Sequence, residues 1–63
     1  MQGIEIATIA REIVRLSQLQ LDLLEAVPVH KWTETQQDAY RLRQQRIFTL
    51  STKIGQLKLS DAA

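Results

Sequence analysis

The sequence predicts an all-α fold: an antiparallel two-helix hairpin that pairs with a second copy into a four-helix bundle. Three observations carry that reading. Two long segments place apolar residues at helical spacing, a single proline-centred break separates them, and the chain is too short to bury its own apolar surface. The 63 residues form one domain over 1–63, with helix 1 at about 3–26, a loop at about 27–33 and helix 2 at about 34–59.

Helix 1 is read from Ile6, Ile9, Ala10, Ile13, Leu16, Leu23 and Leu24, with Val14, Leu19 and Leu21 widening the stripe on both sides. At 100° per residue these side chains cover roughly 220° of the circumference. Thr8, Arg11, Arg15, Gln18, Asp22 and Glu25 fill the rest. A stripe that wide contacts more than one neighbour. Ser17 and Gln20 fall near its centre, where a polar group costs stability unless it finds a partner. They either fix register, as buried polar residues do in coiled coils, or mark an edge that water reaches.

The break is Val27-Pro28-Val29-His30-Lys31-Trp32. Proline lacks an amide hydrogen and biases the residue before it away from helical torsions. Helix 2 starts after Thr33, because Thr33 and Gln36 have the spacing of a capping box and Glu34 and Asp38 suit the positive helix start. Its apolar face reads Ala39, Ile47, Leu50, Ile54 and Leu57, flanked by Tyr40 and Leu42, and fraying is expected near Gly55 or by about Leu59. Rods of roughly 36 to 39 Å joined by a short loop fold antiparallel.

Chains of this length bury only about 60% of the surface that they expose when unfolded, so they usually need a staple. There is no cysteine for a disulfide and only one histidine, His30, for a metal. Oligomerisation remains, with a dimer favoured over a complex with another helical protein. The expected shared core combines Ile6, Ile9, Ile13, Leu24, Ile47, Leu50, Ile54 and Leu57.

Glu5, Arg11 and Glu12 interrupt the apolar N-terminal residues, so no secretion signal is expected. No run of about 20 apolar residues is present to span a membrane. A cysteine-free soluble chain fits a cytoplasmic setting. His30 is read as a surface residue beside a proline. No serine has nucleophile-elbow context, and neither glycine sits in a phosphate-binding repeat. The expectation is a chain that is not an enzyme, with no catalytic residues, cofactor, metal or small-molecule substrate.

Charge is unevenly distributed. Residues 1–30 carry two bases and four acids, a net −2, whereas residues 31–63 carry six bases against Glu34, Asp38 and Asp61, a net +3. Arg41, Arg43, Arg46 and Lys53 are candidate phosphate contacts, with Tyr40 as a stacking surface, in a small RNA- or DNA-binding dimer. The favoured reading instead has Arg43 and Arg46 lay their stems over the core and pair with Glu5, Glu12 or Asp22 of helix 1. Phe48 lies away from the helix-2 core face. Trp32 is expected to fold back over Val27, Val29 and Tyr40. Both aromatics are candidate partner contacts. The function expected is a non-enzymatic protein–protein interaction module, a small adaptor, regulator or assembly subunit working as a helical-bundle oligomer.

Overall fold

The computed structural model describes the backbone of residues 2–62 and the side chains of residues 3–59. Met1 and Ala63, the ends of the predicted domain, and the side chain of Asp61 lie outside the described residues. The described chain is all-helical: α1 (Gln2–Ala26), a 3-10 turn (Val29–Lys31) and α2 (Glu34–Ala62).

Local chemistry sets each boundary. The last turn of α1 closes with the Val27 amide donating to the Leu23 carbonyl at 3.0 Å, immediately before Pro28. Pro28 is extended (φ −56°, ψ 140°), and the 3-10 turn after it is closed by Lys31 N to Pro28 O at 2.8 Å and Trp32 N to Val29 O at 3.1 Å. The capping box then forms in full. The Gln36 amide donates to Thr33 Oγ1 at 3.1 Å, and the Thr33 amide donates to Gln36 Oε1 at 2.9 Å. At the other end α2 runs through Gly55 and past Leu59 to Ala62. Gly55 keeps a negative φ, so it weakens the helix without ending it.

The helices pack along one seam. On α1 it is the row Ile6, Ile9, Ile13, Leu16, Gln20 and Leu23, spaced alternately by three and four, and every member is buried or half-buried. On α2 the matching row is Gln36, Tyr40, Arg43, Ile47, Leu50, Ile54 and Leu57. Ile9, Leu16 and Leu50 form the buried core, and Ile13, Ile47, Ile54 and Leu57 pack against it.

The polar member of the α1 row is fully engaged. Gln20 is only 4% exposed. Its Nε2 donates to the Tyr40 carbonyl at 2.9 Å and to Gln44 Oε1 at 3.3 Å, and its Oε1 accepts from Arg43 Nη1 at 2.8 Å. Toward the open end of the hairpin, Lys53 Nζ lies 3.6 Å from Glu5 Oε1. The two sites mark opposite ends of one antiparallel register.

The hairpin measures 47 × 14 × 13 Å with a radius of gyration of 14.5 Å. A compact chain of this length has a radius near 11 Å. Elongation follows from having two rods and no third element to fold over them.

Truncating Gln20 leaves a half-buried guanidinium without its acceptor, at a cost of about 1–3 kcal/mol. For a domain this small each kcal/mol moves the melting temperature by roughly 4–8 °C. Thermal melts followed by circular dichroism should show Gln20→Ala melting well below the parent; an unchanged midpoint would mean that the cluster carries no stability.

Candidate interaction surface

α1 carries a second row of small and apolar residues beside the seam: Ala7, Ala10, Val14, Ser17, Leu21 and Leu24, again spaced by three and four. The centres of the two rows lie about 100° apart around the helix axis. α2 covers the first row and half-buries Ala10 and Ser17 of the second, leaving Ala7, Val14, Leu21 and Leu24 exposed. Val14 is 67% exposed, Leu21 51% and Leu24 42%.

α2 has no second apolar row. One flank of its seam reads Gln37, Arg41, Gln44, Phe48, Ser51, Gly55 and Lys58, all exposed, and the other Thr35, Ala39, Leu42, Arg46, Thr49, Lys53 and Gln56, of which Ala39 alone is half-buried. Lys53 faces Glu5 on one side of the hairpin. Gln44 and Phe48 project from α2 about 140–180° away from Lys53, and so flank the same side as Val14 and Leu21. Phe48, 74% exposed, thus borders the open α1 row.

The uncovered surface is large for so small a chain. The hairpin exposes 4843 Å², whereas a folded monomer of its 7.2 kDa mass exposes about 4100 Å². The excess of about 700 Å² is close to the roughly 800 Å² that each partner contributes to a standard protein interface.

The predicted interface residues divide between two surfaces. Ile9, Ile13, Ile47, Leu50, Ile54 and Leu57 belong to the core within the hairpin, and Ile6 is half-buried in the same row. Leu24 belongs to the open row instead. Trp32 closes the loop end: its Nε1 donates to the Val27 carbonyl at 2.9 Å, and its ring lies 5.0 Å from that of Tyr40, tilted by 43°. Val29 stays exposed.

The predicted phosphate contacts do not form a free track. Arg41 Nη2 is bound to Asp38 at 2.8 Å. Arg43 is committed to Gln20, an amide rather than the carboxylate expected for it, because the seam brings Gln20 to its level. Lys53 faces Glu5, and Arg46 is near enough to Glu12 to help hold its carboxylate charged. On α1, Arg15 grips Glu12 through two hydrogen bonds of 2.6 and 3.1 Å. These bonds chiefly, with the charges of Arg15 and Arg46 adding and desolvation opposing, hold Glu12 below its ordinary value of 4.5.

Little else is concave or clustered. A shallow depression on the outer side of α2, lined by Phe48, Thr49, Thr52, Lys53 and Gln56, has walls from a single helix. Among the described residues no three His, Asp or Glu side chains come together in metal-binding array, and no helix is long and apolar enough to cross a membrane. Comparison of the chain with models of known families, with curated proteins and with solved structures gave no significant match.

The broad apolar stripe expected on helix 1 is thus two rows, the seam and the open row. The signal that separates them was present, since two interleaved three-and-four spacings run through residues 6–24.

Glu12 has a pKa lowered by folding, so its stabilising contribution is complete above the ordinary carboxylate value and is lost as pH falls through the lowered one. The Glu12-dependent part of the melting temperature should therefore be level above the ordinary carboxylate range and fall below it, by a small amount because the pair is exposed. Glu12→Gln should show a smaller acid-side decline than the parent. Parallel declines in the two proteins would assign the acid sensitivity elsewhere.

Proposed function

We propose that this chain is a non-enzymatic protein–protein interaction module, a small adaptor, regulator or assembly subunit, that works as a helical-bundle oligomer through the open face of α1. The observation carrying this reading is the second apolar row, whose Val14, Leu21 and Leu24 stand in water along more than two turns. A monomer gains nothing from a second stripe. In a four-helix bundle each helix has two neighbours at about a right angle, which is the relation between the two rows of α1. Phe48, at the border of that face, extends the same surface. A reducing compartment such as the cytoplasm is the setting that a cysteine-free chain fits.

Nucleic-acid binding through Arg41, Arg43, Arg46 and Lys53 is the weaker reading, because carboxylates or Gln20 already engage these groups. It would show as RNA or DNA affinity falling steeply with salt.

Light scattering across a concentration series tests the proposal. The parent should reach twice the 7.2 kDa chain mass, and Leu21→Asp should weaken self-association by roughly 10- to 100-fold while circular dichroism stays helical. A parent that stays monomeric at every concentration, or a Leu21→Asp protein that associates as the parent does, would overturn it.

A further inference from the structure

The open row of α1 has an order along the helix that points to its partner. Ala7 and Ala10 lie toward the N-terminal end, Val14 and Ser17 at the middle, and Leu21 and Leu24 toward the C-terminal end. From these side chains we infer that the row docks against the same row of a second copy, with the two α1 helices antiparallel and Ala7 opposite Leu24, Ala10 opposite Leu21 and Val14 opposite Ser17. This inference rests on the proposed self-association and adds its geometry.

Volume is the first argument. In the antiparallel register each layer pairs a small side chain with a larger one, which lets two helices keep an even separation along their length. A parallel pair sets Ala7 on Ala7 and Ala10 on Ala10 at one end, and Leu21 on Leu21 and Leu24 on Leu24 at the other. The helices would then meet as a wedge, over-close at one end or gapped at the other.

Charge is the second. Arg11, Gln18 and Glu25 each follow a member of the row by one position and so border it. Arg11 makes no salt bridge among the described residues. In the antiparallel register it falls between Gln18 and Glu25 of the second copy. In a parallel pair the Arg11 and Glu25 side chains of the two copies lie on opposite sides of the row, so the Arg11–Glu25 pairing is lost.

Area is the third. The excess exposure of about 700 Å² per chain is what one standard interface removes from each partner.

Disulfide trapping reads the register directly, because the chain has no cysteine of its own. Ala10→Cys and Leu21→Cys are made as separate proteins, checked for parent-like helicity and mass, mixed and oxidised. The register places these positions opposite each other, within the roughly 4.4–6.8 Å Cα separation that a disulfide needs. It keeps Ala10 about 16 Å along the axis from its own symmetry mate, and Leu21 likewise. The expected result is a shift of the mixture to a covalent dimer joining one copy of each variant, with no covalent dimer from either variant alone. Homodisulfides in the single-variant samples would overturn the inference in favour of a parallel pair. Non-covalent dimers that form no mixed disulfide would overturn the register while leaving self-association standing. Parent protein monomeric by light scattering would sink both.

Discussion

Two helices share one line of contact, and that geometric limit governs this molecule. A helix surrounded by one neighbour can hide one row of side chains, and α2 hides Ile6, Ile9, Ile13, Leu16, Gln20 and Leu23 of α1. Val14 and Leu21 stay largely exposed, however well the seam packs. The apolar content of α1 therefore exceeds what its own chain can cover, and the surplus lies on one side. α2 is composed differently, with one apolar row between two polar flanks. The asymmetry leaves the hairpin with an apolar surplus on α1 and none of comparable extent on α2.

Within the seam, Gln20 does what the aliphatic residues cannot. Rows of isoleucine and leucine repeated every heptad pack almost as well after a slip of one repeat. The Gln20 amide finds the Tyr40 carbonyl, Gln44 and the Arg43 guanidinium only in the observed register. Sliding α2 by seven residues would bring Ile47 or the neighbourhood of Leu50 to that level. Gln20 and Arg43 would then both lose their partners, at about 1–3 kcal/mol for each buried polar group. For a hairpin whose buried core is Ile9, Leu16 and Leu50, a penalty of that size decides between registers.

The elements of the fold were legible in the sequence for identifiable reasons. Pro28 ends a helix wherever tertiary contacts lie, and the Thr33–Gln36 box is a local motif whose two hydrogen bonds need no other element. Helical spacing disclosed the aliphatic part of the seam, Ile47, Leu50, Ile54 and Leu57 on α2 among them, but not its polar continuation through Gln36, Tyr40 and Arg43. Gly55 misled because glycine terminates helices chiefly when it adopts positive φ, and here it does not. The partner of Arg43 was also beyond reach. Choosing between a carboxylate and Gln20 requires the axial register to within about one turn, and charge counting contains no such information. Leu24, expected in a core shared between two copies, stays 42% exposed in the hairpin, since a wide stripe looks continuous until a neighbour divides it.

The cations of α2 can be understood from the same division of labour. Arg41 holds Asp38 within its own helix, Arg43 completes the Gln20 cluster, and Lys53 and Arg46 stand across from Glu5 and Glu12. Of these, only Lys53 and Arg46 meet acids of the first half, on the side of the hairpin away from Val14 and Leu21. That leaves the open face of α1 weakly charged, bordered by Arg11 toward one end and Glu25 toward the other. A weakly charged apolar row with opposite charges at its two ends suits a reversed copy of itself better than a polyanion. In the proposed pair, the row that makes the isolated hairpin marginal becomes the source of its stability, so folding and association are linked through protein concentration.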